Sequence, residues 1–323
     1  MQQATATAGS RLLTKVTDAV HERVVGQHQA VEGLLVALLT GGHILLEGLP
    51  GLAKTLMVRT LAQAIHTDYR RIQFTPDLLP SDIVGTPIFD QRSGQFRVQK
   101  GPIFSNIVLA DEINRAPPKV QAALLEAMEE RQVTIAGETY KLGIPFMVLA
   151  TQNPVELHGT YPLAEAQLDR FALKLQIGYP TREEEKAIVR QVGGSGQGPI
   201  EAVATIEEIA AARDEVDAVH LEEQVLDYIV ALTFATREPS KVGLEDLEDL
   251  IEFGTSPRAS IFLSRAAKAR AYLHGRDYVM PDDVKAMGPS VLCHRLRTTY
   301  EADARSIDAA EIVRRVMSAV AAP

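Results

Sequence analysis

The segment Glu47-Gly48-Leu49-Pro50-Gly51-Leu52-Ala53-Lys54-Thr55 carries the residue types needed to hold a chain of phosphates. Gly48 and Gly51 let backbone N–H groups turn inward. The helical run that continues from Leu56 to Ala64 presents its positive N-terminal end to the same anion. Lys54 supplies a point charge to β- and γ-phosphates, and the Thr55 hydroxyl is placed to ligate Mg2+. The general pattern G-x-x-x-x-G-K-[ST] has glycine where this chain has Ala53. An alanine there is expected to need a negative φ, and so helix-like geometry at residue 53. A Gly-Pro turn before a helix, with an incidental Lys-Thr pair, is the plain structural alternative.

A second group lies further along. Ile107-Val108-Leu109-Ala110-Asp111-Glu112 reads as a buried strand ending in two carboxylates. Asp111 is suited to hold Mg2+ through water, and Glu112 to orient and polarise an attacking water. Taken alone, such a pair is an ordinary helix cap. Beside a phosphate loop in one parallel sheet it reads as a hydrolysis apparatus, because ligand sites gather at the carboxyl ends of such strands. The strand Phe146 to Ala150 runs into Thr151-Gln152-Asn153-Pro154, which brings the Asn153 amide to the same edge or forms a simple Asn-Pro turn. Arg170 ends a helical segment at 163–169, where a cation caps a helix favourably. Arg258 follows Ser256-Pro257 in a first turn, where a cation opposes the helix dipole, so another group is expected to recruit it; a γ-phosphate is the first candidate.

These residues must be positioned by regular elements. Short apolar runs at 43–46, 107–110, 146–150 and 171–175 alternate with helical patterns such as 120–130, with Val120, Ala123, Leu124, Ala127 and Met128 on one face. That alternation implies an α/β fold with a mostly parallel sheet. Beyond about residue 180 the strand signals vanish and helical starts take over, with Ser256 as a cap before Pro257 and with Pro281-Asp282-Asp283 opening another helix. Ile88-Phe89-Asp90 and Phe96-Arg97-Val98 around Arg92-Ser93-Gly94 read as one inserted hairpin; Val133-Thr134-Ile135 and Thr139-Tyr140-Lys141 around Ala136-Gly137-Glu138 read as a second. The glycine-rich stretch 193–199 reads as a loop. The 323 residues hold 33 Lys+Arg against 42 Asp+Glu, a net charge of −9, with 46% apolar and 23% charged residues. That composition excludes a disordered chain and gives roughly two domains. Apolar runs fall short of the ~20 residues of a membrane span, and no secretory signal is visible, so a cytoplasmic location is expected. The single cysteine, Cys293, excludes an internal disulfide and suits a reducing compartment. His43 and His158 are too scattered to form a metal site and read as satisfied or surface histidines.

The chain resembles the MoxR family of AAA+ ATPases, of the helix-2-insert clade, from about residue 24 to residue 296. The resemblance rests on 48–55, on Asp111-Glu112-Ile113-Asn114-Arg115-Ala116-Pro117-Pro118, on the run from Gln121 to Arg131, on Ala150-Thr151-Gln152-Asn153-Pro154 and on Ser256-Pro257-Arg258-Ala259. Ala53 before Lys54 looks like this family's own variant. The change of pattern places a boundary near Tyr179-Pro180 between an α/β domain over 21–180 and an all-α domain over 181–323, after a short N-terminal segment, 1–20. The resemblance makes the first a P-loop AAA+ core with a parallel sheet between helices and the second its lid. It implies that Gly48, Leu49, Pro50, Gly51, Leu52, Ala53, Lys54, Thr55 and Leu56 hold ATP with Mg2+, with Val25 and Gly26 bordering the adenine. It also implies that Asn153 is sensor 1, Arg258 the sensor 2 arginine of the lid, and Arg170 an arginine finger reaching a neighbour's nucleotide in a ring, a hexamer by resemblance. The two hairpins would line a pore or face a partner. Such proteins are associated with partners carrying von Willebrand factor A domains, and act as chaperone-like remodellers. Cys293 departs from the basic residue expected there. A nucleic-acid motor of the same clade, which the −9 charge argues against, and a nucleotide-gated assembly module are the alternatives.

Overall fold

The computed structural model describes residues 8–92, 94–155, 159–192 and 200–323. The 193–199 stretch, Ser93 and His158, singled out above, lie outside the described residues. The chain divides into two compact units. One spans Lys15–Leu163 and Leu175–Ile209; the other combines Ala164–Lys174 and Ala210–Pro323 with the stretch up to Thr14.

In chain order the strands are β1 (Ile44–Gly48), β2 (Tyr69–Gln73), the hairpin β3 (Gly85–Asp90) and β4 (Gln95–Lys100), β5 (Ile107–Asp111), the hairpin β6 (Gln132–Ile135) and β7 (Glu138–Lys141), β8 (Met147–Gln152), β9 (Leu173–Ile177), and the short pair β10 (Ile251–Phe253) and β11 (Arg297–Thr298). The main sheet has the order β2-β5-β8-β1-β9, and the pairs β2/β5, β5/β8 and β8/β1 are parallel. Its register aligns Gln73 with Asp111, Leu46 with Thr151 and Glu47 with Gln152, so the polar carboxyl ends of four strands share one edge.

The middle of the sheet is apolar on both faces: Ile44, Leu45, Leu46, Val108, Leu109, Val148 and Leu149 have no exposed surface. Each such side chain contributes about 1.5–3 kcal/mol of burial energy. Within the main sheet, β2 is the strand that periodicity misses. Of Tyr69-Arg70-Arg71-Ile72-Gln73 only Ile72 is buried, because β2 is at the sheet's edge. His43 is a satisfied core histidine: its Nδ1 accepts from the Val148 N–H at 3.0 Å, and its Nε2 lies 3.1 Å from the Met128 carbonyl. The helix expected at 120–130 runs Pro118–Glu130 and buries Val120, Leu124, Ala127 and Met128, together with Leu125 and Gln121. The Gln121 amide donates to the Tyr161 carbonyl at 2.9 Å and the Ala116 carbonyl at 3.2 Å, fastening the chain after β5. Both hairpins form as expected. The second turns through Ala136 and Gly137, both at positive φ, as a tight two-residue connection requires.

The second unit is mainly helical, with Glu223–Ala235, Pro257–Leu273, Pro281–Leu292 and Ala309–Ala319 as its long helices. Two strands nevertheless form after residue 180, where no strand signal is visible: β10 and β11 pair antiparallel there. Strands of three and two residues are too short to show a period-2 pattern. Ser256 caps its helix, accepting from the Arg258 N–H at 3.2 Å, with Pro257 in the first turn. Asp283 does more than open a helix. It is fully buried and accepts from Arg270 at 2.8 Å, from Arg276 at 2.6 and 2.7 Å, and from the Met280 N–H at 2.9 Å. Burial raises the pKa of its carboxyl, but the Arg276 bonds, the Met280 N–H and Arg270 outweigh it and hold the group below its ordinary value. Its contribution to stability is therefore present above the ordinary Asp range and lost as pH falls through the folded pKa. Asp283→Ala leaves two arginines without their buried partner and is expected to cost about 3–5 kcal/mol. Urea unfolding followed by circular dichroism checks this; an unchanged midpoint would contradict it.

Candidate active site

The loop after β1 reverses the chain over the sheet's carboxyl edge. Gly48 packs so closely that a Cβ there would sit 2.7 Å from the Ile177 carbonyl oxygen. Gly51 has φ +85°, and a Cβ there would meet nothing within 4 Å, so the loop opens onto free space. Lys54 is the first residue of the helix Lys54–Ala64, and its ammonium donates to the Gly48 carbonyl. Burial lowers its pKa, against the opposing pull of Asp111, Glu112 and Glu47. A cavity of about 400 Å3 is lined by Pro50, Gly51, Leu52, Ala53, Lys54, Thr55 and Leu56, and by Asp111, Glu112 and Asn153. Arg71 and Thr151, which sequence reasoning misses, line it too.

Those two residues hold the Asp111 carboxylate, and Thr151 also holds the backbone of Glu112. The Thr151 hydroxyl donates to Asp111 Oδ1 at 2.6 Å and accepts from the Glu112 N–H at 2.8 Å. Arg71 donates to Asp111 Oδ2 through Nη2 at 2.6 Å and Nε at 2.9 Å. Glu112 sits at φ 57°, ψ 51°, where a left-handed turn starts the short helix Ile113–Arg115. Its Oε2 accepts from Gln73 Nε2 at 2.9 Å and pairs with Arg115 Nε at 3.1 Å. Arg71 and Gln73, at i and i+2 on β2, share one face, a spacing that becomes a signal only once the strand itself is known. Asn153 Oδ1 accepts from the Val155 N–H at 3.2 Å. Val25 and Gly26 are not among the cavity-lining residues. Gly26, at φ +68°, is packed against Glu184, and the neighbouring Gln27 amide donates to the Gly178 carbonyl at 2.9 Å.

Arg170 and Arg258 belong to the other unit, where Asp169 gathers the local charges. Ser256 Oγ lies 3.1 and 3.0 Å from the two Asp169 carboxylate oxygens, and Arg258 Nη1 is 4.0 Å from Oδ2. Arg258 in a helix's first turn thus has a carboxylate beside it. Arg295 Nε donates to Asp169 Oδ1 at 2.9 Å, and its guanidinium covers the Phe262 ring at 4.8 Å. Burial pulls the Arg295 pKa down to about 10 against the pull of Asp169. Cys293, which stands where the resemblance leads one to expect a basic residue, has a thiol whose pKa burial pushes up to about 11.

The model of the ATPase family associated with various cellular activities (AAA) matches residues 43–173, and that of the AAA lid domain matches residues 245–316. Chaperone MoxR1 of Mycobacterium tuberculosis is 48% identical over 305 residues, 93% of this chain and 79% of that protein. Protein MoxR of Methylorubrum extorquens is 31% identical over 345 residues, with 98% of each chain covered. The chain belongs to the MoxR family of AAA+ ATPases. A crystal structure of an ATPase candidate from Cytophaga hutchinsonii matches with a TM-score of 0.92 and 47% identity, covering 98% of this chain and 96% of that one. The AAA match in this MoxR-family chain contains Lys54, Asp111, Glu112, Asn153 and Arg170; the lid match contains Arg258.

One expectation about the phosphate loop is overturned. Ala53 has φ 59°, ψ 15°, a left-handed conformation in place of the expected negative φ. The physical reason is the reversal itself: residue 53 must turn out of the loop while its carbonyl accepts the first helical bond, from Met57 N–H at 2.9 Å. A left-handed alanine costs roughly 1–2 kcal/mol. Ala53→Gly is therefore expected to stabilise the protein by up to about 1 kcal/mol, since glycine's greater unfolded freedom offsets part of the relief. A thermal melt of that variant checks this; a clear drop in midpoint would contradict it.

Proposed function

We propose that this MoxR-family chain hydrolyses ATP with Mg2+ in a ring of its own copies, and uses the cycle to remodel protein partners. The observation that carries the reading is that one cavity brings together a lysine on a phosphate loop, two carboxylates at a strand end and an amide. The donor set suits a hard divalent cation, since Asp111 offers a carboxylate and Thr55 a hydroxyl. When bound with the nucleotide, Mg2+ supplies neutralisation of phosphate charge. The chain's own groups do the remainder. Lys54 exchanges the Gly48 carbonyl for phosphate oxygens, and the loop N–H groups from Gly48 to Leu56 cradle the same anion. Glu112 accepts the proton of the attacking water while the Asn153 amide orients it. Val25 and Gly26 border the adenine.

Arg258, carried by the lid proposed over 181–323, engages the γ-phosphate of the nucleotide held by the core proposed over 21–180. Arg170 acts in trans on a neighbour's nucleotide, which makes a closed ring the working form; the family resemblance makes that ring a hexamer. Trans arginines contribute about 10³ to 10⁵ in rate. A relative named as a chaperone supports a protein client; a von Willebrand factor A domain partner and a cytoplasmic setting complete the proposal. Among the described residues, no helix is long and apolar enough to cross a membrane. Glu112→Gln is expected to bind ATP without turning it over, measured by nucleotide binding and phosphate release; wild-type turnover would remove Glu112 from its role. Arg170→Ala is expected to retain ATP binding and lose turnover, with activity restored on mixing with Lys54→Ala subunits. High activity of the pure Arg170→Ala protein would contradict a finger in trans.

A further inference from the structure

Arg71 has no place in the mechanism above, yet it pairs directly with the carboxylate proposed to face the metal. It lies on the edge strand β2, and its side chain is 49% exposed. Two of its N–H groups converge on Asp111 Oδ2, while Oδ1 is taken by the Thr151 hydroxyl. Its Nη2 also donates to Gln73 Oε1 at 2.7 Å, and Gln73 in turn donates to Glu112. Asp111, Arg71, Gln73 and Glu112 thus form one continuous chain of polar contacts. The charged groups lining the cavity are Lys54 and Arg71 against Asp111 and Glu112, a balanced set.

We infer that Arg71 is a positioning residue that acts as an exchangeable counter-cation: it and a divalent ion are alternative partners of Asp111. A guanidinium within hydrogen-bonding distance of Oδ2 repels a divalent ion brought to the same carboxylate. Its exposed stem lets it swing away, and a triphosphate in the cavity offers it oxygens in exchange. Metal binding without nucleotide is thereby disfavoured, so the ion and the nucleotide enter together. The inference rests on the proposed metal role of Asp111.

Mn2+ is the probe, titrated into the full-length protein with free Mn2+ followed by electron paramagnetic resonance. Arg71→Gln is expected to tighten Mn2+ binding in the absence of nucleotide by about twofold to fivefold, the range of a partly exposed ion pair. Arg71→Lys, which keeps the charge, is expected to stay near the wild-type value, and Asp111→Asn to weaken binding. If Asp111→Asn weakens binding but Arg71→Gln leaves it unchanged or weaker, the counter-cation role is overturned and the metal role of Asp111 stands. If Asp111→Asn changes nothing, the metal role falls, and the inference falls with it.

Discussion

One buried hydroxyl ties the carboxylate of Asp111 to the backbone of Glu112. Thr151 stands near the end of β8, is 1% exposed, gives its proton to Asp111 and takes the N–H of Glu112. Because an O–H donates once, this arrangement fixes the hydroxyl's orientation and ties the ends of β5 and β8 together. It also meets the backbone donor of a residue at φ 57°, a conformation that costs energy unless its surroundings hold it. Glu112 can line the cavity because that turn is held.

The parallel register makes this possible. Pairing Gln73 with Asp111 and Leu46 with Thr151 sets four strand ends level, and the phosphate loop leaves β1 at that same edge. A shift of one residue would turn every side chain to the opposite face. The buried aliphatic strands therefore do more than stabilise: they fix which polar groups meet. The second unit has its own organiser in Asp169, which draws in Ser256 and Arg295 beside Arg258.

The sheet's central strands, the phosphate loop and the Asp111-Glu112 pair are legible in the sequence because each has a local signature: an apolar run, a glycine spacing, or charges at a strand end. Arg71 is not, since an edge strand with one buried residue shows no clear alternation, and its ion pair spans 40 positions of sequence. Thr151 reads only as part of a turn because its partners come from another strand. Ala53 misleads for a different reason. The general rule against left-handed alanines is a matter of modest energy, which a loop required to reverse at that point can override. Asp283 looks like a helix opener, whereas its two arginine partners make it a buried centre of charge.

If the Thr151 hydroxyl positions the Asp111 carboxylate and the turn at Glu112 for turnover, removing it must slow the reaction more than it weakens binding. Thr151→Val keeps the shape and removes the hydroxyl. Steady-state ATP hydrolysis and direct nucleotide binding, measured on the same protein, separate the effects. The expected result is a fall in kcat of about tenfold or more, the scale of a lost buried hydrogen bond in a reacting site, with nucleotide affinity changed by less than about threefold. A Thr151→Val protein that turns over ATP at the wild-type rate would overturn that role.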